Sequence, residues 1–369
     1  MKSDLGQGLS RMPEEGGAHR SRFCVGAVSV GVAGRRSDDV ALGRSLRPFR
    51  VETYRCDVNV TVEWVSDLGP TPGRQLFDSG ATWRLYQREN GFQFDFLARD
   101  RRYKRLLVDS LFREATVQMS AAYFDSSLGL AADPFGYPLD ELLIMHRLTQ
   151  EKAIELHSCG IVRPDGAGNL FVGHSGAGKS TTTRLWTARE GVEVLSDDRI
   201  IVRRDEEGSG AETPCGAAGA DEGKGVLRLR DWPASRTSRS AQDDNRKTDD
   251  KAEKQIPPCS LRSRGRNDKG RMRMYGTPWH GEAAYVSPGS APLARIFILE
   301  HGRGNVLTRL SSSQAVAELF ARSFVPFHRH EYVDSALEFL QELVGAVPCY
   351  HYAFEPNEAA VERILEFRD

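Results

Sequence analysis

Apolar and polar residues alternate with a period of two in several stretches of the chain, a spacing that sends successive side chains to opposite faces of a strand. Val58, Val60 and Val62 alternate with polar neighbours, and Trp83 and Leu85 lead through Asn90-Gly91 to Phe92, Phe94 and Phe96, which alternate likewise. Asn-Gly between two such runs is a strong hairpin signal, because both turn residues must tolerate positive φ. The stretch from about Phe49 to Met119 therefore predicts a small, mostly antiparallel sheet whose aromatic face is core. After Pro138, a residue suited to a first helical turn, Leu139, Leu142, Leu143, Met145 and Leu148 predict a buried helix. From Ile154 to about Arg204 the pattern predicts strand, loop, strand, glycine loop, helix and strand. Leu293 to Leu299 then predicts a buried strand, Ser313 to Phe324 and Val333 to Val344 two helices, and Tyr350 to Phe354 a strand before a last helix near Asn357.

Two stretches lack such periodicity. Met1 to Leu46 is rich in Gly, Ser and Arg and is expected to be a disordered leader. Within it, Phe23 to Gly34 faintly resembles a signal peptide, but it is Gly-rich and runs directly into Arg35 and Arg36. Residues 205–269 are crowded with charged residues, Ser and Gly and are expected to be a disordered insertion, ending in a basic run from Arg262 to Arg273 that reads as solvated charge. The expected organisation is a leader over 1–46, a β-rich N-terminal region with a connecting helix over 47–150, and a C-terminal domain over 151–369 interrupted by the 205–269 insertion.

At 369 residues and 40% hydrophobic, the chain is long enough to bury two cores. Lys plus Arg number 50 against 51 for Asp plus Glu, so the net charge of -1 makes no electrostatic case for nucleic acid or an anionic membrane as partner. No apolar run approaches the roughly 20 residues of a membrane helix. The six cysteines show no C-x-x-C spacing and read as free thiols in a reducing compartment, so a cytoplasmic location is expected.

The chemistry is carried by Gly173-His174-Ser175-Gly176-Ala177-Gly178-Lys179-Ser180-Thr181, which fits G-x-x-x-x-G-K-[ST] between a strand-like Leu170-Phe171-Val172 and a helix-like Thr181 to Ala188. Glycines let the backbone close around phosphates, so that loop N–H groups and a helix N-terminus point at negative charge. Lys179 would then meet the β- and γ-phosphates of ATP, and the Ser180 hydroxyl would hold Mg²⁺. The short strand Val192 to Leu195 ends in Ser196-Asp197-Asp198, with Asp197 only 18 positions after Lys179. Alternation on an extended backbone means that Asp197 and Asp198 cannot both face one site. One is expected to orient Mg²⁺ or accept a proton, the other to cap a loop or pair with a neighbour such as Arg199. His157 ends the apolar run from Ala153, whereas His328, His330 and Glu331 lack a third ligand at metal spacing.

Together His157, the phosphate loop and the Asp pair resemble the C-terminal domain of HPr kinase/phosphorylase and, more distantly, ATP-dependent phosphoenolpyruvate carboxykinase. The likeness spans about Ile154 to Val202 and Met274 to Gly281, and Tyr275 to Glu282 resembles stand-alone HPr-kinase-related bacterial proteins. It implies an α/β fold with a P-loop HPr kinase/phosphoenolpyruvate carboxykinase-like core, joined here to the small antiparallel β region. It also implies a kinase using ATP and Mg²⁺ on a serine-bearing protein or peptide, in a homo-oligomer. Carried over, Asp197 accepts the serine proton, Lys179 and Ser180 bind phosphate and magnesium, His157 assists at the phosphates, and Asp198 and Glu282 are magnesium ligands. Here His157 is followed by Ser158-Cys159-Gly160 rather than directly by Gly, and Thr181 stands where HPr kinase has Glu. The alternatives are a nucleotide-dependent switch that hydrolyses ATP and a small-molecule kinase or carboxykinase-like enzyme.

Overall fold

The computed structural model describes residues 18–53, 55–71, 73–126, 132–205 and 272–368. Its first sheet contains β1 (His19–Val25), β2 (Val28–Gly34), β3 (Val58–Val65), β4 (Arg74–Asp78), β5 (Trp83–Arg88), β6 (Gly91–Ala98), β7 (Arg101–Val108) and β8 (Glu114–Ser120). Their spatial order is β1-β2-β3-β8-β7-β6-β5-β4; β2–β3 and β3–β8 are parallel and the other pairings antiparallel. Val58, Val60, Phe92, Phe94 and Phe96 are fully buried, as their alternation predicts. The β5–β6 hairpin turns at Glu89-Asn90, one residue earlier than the Asn90-Gly91 expected, and Gly91 pairs with Arg88 at the start of β6.

The expectation of a disordered leader over 1–46 fails for its described part, because β1 and β2 form an ordered hairpin. Gly26 and Ala27 turn it at φ of 58° and 60°, the backbone that matches strand twist in a two-residue loop. Phe23, Val25, Val28, Val30 and Val32 are fully buried. Interspersed small residues diluted this alternation in the sequence, yet Gly26 is required by the turn and by its close approach to Ile201. Most of the expected 205–269 insertion lies outside the described residues; at its margins Asp205 pairs with Arg273 at 3.0 Å.

The connecting segment carries α1 (Ala121–Ser126) and α2 (Leu139–Leu148). Nine of the ten α2 residues are buried, which an amphipathic surface helix would not show. The reason is its position: Leu139, Leu142 and Leu143 join the first core, while the helix also packs on a strand of the second sheet.

That second sheet contains β9 (Ala153–Val162), β10 (Gly168–Val172), β11 (Glu193–Ser196), β12 (Arg199–Arg204), β13 (Met272–Tyr275), β14 (Ser290–His301), β15 (Val306–Arg309), β16 (Ser323–Phe324) and β17 (Cys349–Phe354). The helices are α3 (Lys179–Thr187), α4 (Ser312–Phe320), α5 (His330–Ala346) and α6 (Glu358–Glu366). α4 stops four residues short of the expected Phe324, which instead belongs to β16 and pairs with Glu155 of β9. β9 pairs with β12 through its first half and with β10 through its second, and β12, β13, β14 and β10 pair in turn, so the strands close into a ring. The protein is thus mixed α/β, with many strands and few helices.

The two sheets meet where the β1–β2 turn reaches β12: Arg203 Nη1 donates to the Gly26 carbonyl at 3.0 Å, and Ile201 packs in the first core. A Cβ on Gly26 would stand 2.5 Å from Ile201 Cδ1 at a positive φ. Gly26→Val is therefore expected to destabilise the protein by about 2 kcal/mol or more. Denaturant unfolding checks this, and a change within the scatter of neutral surface substitutions would refute the docked turn.

Candidate active site

β10 ends at Val172, the chain turns through 173–178, and α3 begins at Lys179 with Gly178 as its N-cap at φ of 100°. A Cβ at Gly178 would strike the Phe354 ring at 2.5 Å, so the loop is seated on β17 in a way that only glycine permits. His301, at the end of β14, places its Nε2 2.7 Å from the Gly176 carbonyl and fixes the loop from the other side. Lys179 Nζ donates to the carbonyls of Gly173 at 3.0 Å and His174 at 3.1 Å, which holds the ammonium over the loop. Burial pulls Lys179 below the ordinary lysine range, opposed first by the charge of Asp198 and also by that of Asp197. Beneath the helix start, Cys159 points Sγ at the Lys179 carbonyl, and burial pushes its thiol up to about 12, so it stays neutral.

The Asp pair separates as alternation requires. Asp197 is 1% exposed, and its carboxylate accepts from the amides of Gly281 at 3.1 Å, Ala283 at 2.9 Å and Tyr285 at 3.3 Å. Burial raises its affinity for a proton, while these amides favour the ionised form. Asp197 therefore organises the 281–285 loop, in which Glu282 is exposed. Asp198 faces the other way and remains partly open: its Oδ1 is 3.0 Å from His157 Nε2 and its Oδ2 3.3 Å from Arg199 Nε. The Gly173 amide donates to the His157 carbonyl at 3.4 Å, so this His–Asp pair stands beside the first residue of the glycine loop.

Arg199, Glu141 and Glu155 complete the surroundings, and sequence reading assigned the two glutamates no role. The Arg199 guanidinium pairs with Glu141 of α2, lies 3.6 Å from Glu155 Oε1 and sits 4.3 Å above the Phe324 ring. Burial holds the Glu155 carboxyl well above the usual range, with the charges of Asp140 and Asp198 acting in the same direction. Glu155 precedes His157 by two on β9 and so shares its face, a signal present in the sequence. Next to Glu141, Asp140 accepts from Trp279 Nε1 at 2.9 Å, which ties α2 to the segment leading into the 281–285 loop.

The donor chemistry of these residues is of the kind that a triphosphate with magnesium would take. The loop supplies main-chain amides, an ammonium and the Ser180 hydroxyl at a helix start, and Asp198 adds a carboxylate. Among the described residues no group of three or more His, Cys, Asp or Glu could hold a metal ion. Magnesium held by one or two protein oxygens plus phosphates and water needs no such group. The four described cysteines Cys24, Cys56, Cys159 and Cys349 are free thiols, and no described helix is long and apolar enough to cross a membrane. Neither the protein-family models nor the curated proteins match this chain.

Two outcomes follow from these environments. Asp197→Asn sets an amide nitrogen among three backbone donors and is expected to cost about 2 kcal/mol, against a smaller loss for Asp198→Asn, whose carboxylate is partly exposed; equal melting of the two variants would contradict the assignment. Burial pushes the Asp140 carboxyl up to about 7, against the Trp279 hydrogen bond and the charge of Lys104. A carboxyl raised in the folded state contributes stability at low pH that is lost as pH rises from about 4 to about 7. Asp140→Asn should remove that decline, as unfolding free energies measured across the same window would reveal.

Proposed function

We propose that the protein is a Mg²⁺- and ATP-dependent kinase that transfers the γ-phosphoryl group to a serine hydroxyl of a small protein or peptide. The observation that carries this reading is the partly exposed Asp198–His157 pair standing beside a glycine loop that ends in Lys179 and Ser180. Phosphoryl transfer asks little covalent chemistry of a protein; it needs alignment of donor and acceptor and compensation of charge. Loop amides from Gly173 to Gly178 and the first turn of α3 face the phosphates, with His174, Ser175 and Ala177 shaping the loop. The Lys179 ammonium balances the charge that develops during transfer. Ser180 would hold magnesium, which would supply charge neutralisation at the polyphosphate.

The base falls to Asp198 rather than Asp197, because a carboxylate already accepting three amides at 1% exposure has no free approach for a hydroxyl. His157 orients Asp198 through the 3.0 Å contact. Asp197 acts one step back, shaping the loop that carries Glu282, a further candidate oxygen near the metal. The resemblance to HPr kinase supports the same reaction class, a cytoplasmic setting and a homo-oligomer.

The test is phosphoryl transfer from γ-labelled ATP across an array of serine-containing peptides. Asp198→Asn is expected to keep Mg-ATP affinity within about threefold and lose transfer by about a hundredfold or more. Lys179→Ala should weaken both steps. Label appearing only as free phosphate across all acceptors would reject the kinase in favour of a nucleotide-dependent switch.

A further inference from the structure

The N-terminal region reaches into the site through one turn of α2. Asp140 and Glu141 are neighbours there, 3% and 5% exposed. Acids in a first helical turn suit the helix dipole, but that benefit requires no burial, and desolvating two adjacent carboxyls is costly unless each has a partner. Each has one in the other half of the molecule. Asp140 accepts from Trp279, and the Trp279 carbonyl lies 3.3 Å from Ser196 Oγ, immediately before the Asp pair. Glu141 pairs with Arg199, whose Nε meets Asp198 Oδ2 at 3.3 Å.

Arg199 is held on every side. Its carbonyl accepts from Thr277 Oγ1 at 2.8 Å, Phe324 covers its guanidinium face, and Glu155 stands 3.6 Å from Nη1. Two carboxylates pair with the guanidinium, Glu141 from the N-terminal region and Asp198 from the second sheet's side. A planar fork can serve both at once, through Nη1 and Nε; an ammonium presents a single point of charge.

We infer that Glu141 and Arg199 are positioning residues, with Glu141 of α2 orienting the Arg199 guanidinium so that it fixes the Asp198 carboxylate, which makes the N-terminal region an obligatory part of the transfer site. This rests on the kinase reading above. It gives a role to a carboxylate buried in the first turn of α2 and to the position of α2 between the two sheets. It also specifies what the N-terminal region controls: the rate of transfer and not the capture of nucleotide, since neither Glu141 nor Arg199 bonds to the phosphate loop.

The experiment uses the full-length protein as wild type, Glu141→Gln, Arg199→Lys and the double variant. Mg-ATP affinity is measured by calorimetry, and kcat and KM on the best acceptor of the serine-peptide array. Both single variants are expected to retain Mg-ATP affinity and the KM for ATP within about threefold while kcat falls by about tenfold or more. Lysine keeps the charge but not the fork, so Arg199→Lys should not rescue. The double variant should be within about twofold of Arg199→Lys alone, because the second substitution acts through a link already broken. Wild-type kcat in Glu141→Gln, or losses that multiply in the double variant, would overturn the inference, as would equal loss of nucleotide affinity. Should Glu141→Gln fail to fold, Glu141→Asp replaces it, with the same kcat loss expected from its shorter reach. A wild-type protein that binds Mg-ATP but labels no peptide defeats the kinase reading itself, an outcome separate from unchanged variants of an active enzyme.

Discussion

A buried guanidinium cannot stand without anionic partners, and the arrangement of this molecule follows from how that demand is met at Arg199. Its position at the first residue of β12, directly after the Asp pair, ties the geometry of the site to whatever holds the arginine. Three elements do so: β9 through Glu155, α2 through Glu141 and the Thr277–Trp279 segment through the Arg199 carbonyl. Of these, the Glu141 contact joins α2, which packs on the first core, to the second sheet. Cohesion between the regions and placement of Asp198 are therefore properties of one network, and a substitution there acts on both.

Around the glycine loop a different rule operates. Nothing charged clamps it from beneath; Gly178 fits against the Phe354 ring, Cys159 sits neutral below, and the His301 ring bonds the Gly176 carbonyl. Main-chain conformation is thereby fixed by packing, with main-chain amides, the Lys179 ammonium and the Ser180 hydroxyl among the polar features. A fold in which β10 has one antiparallel neighbour, β9, and one parallel neighbour, β14, supplies both walls. The first strand brings His157 to the loop, and the second brings His301.

Local pattern made much of this legible. The strand, glycine loop and helix over 170–187, the β5–β6 hairpin, α2 and the divergence of Asp197 from Asp198 follow from spacing alone, since each depends on neighbours along the chain. Which aspartate faces outward did not, because the deciding amides come from Gly281, Ala283 and Tyr285, more than eighty positions away. Glu141 was hidden for a related reason: in a first helical turn an acid reads as an ordinary surface residue, and only tertiary packing reveals its burial. The β1–β2 hairpin was missed because small residues weakened its hydrophobic signal, although Val28, Val30 and Val32 alternate cleanly.

That hairpin bears on how the protein is handled. Trimming the chain to begin at Phe49, a natural choice from its composition, would strip two strands and leave β3 as a raw margin with unsatisfied amides and carbonyls beside Val58, Val60 and Val62. Exposed edges of this kind recruit other chains. Insolubility of so shortened a product would reflect a newly bared strand edge, not a failing of the second sheet.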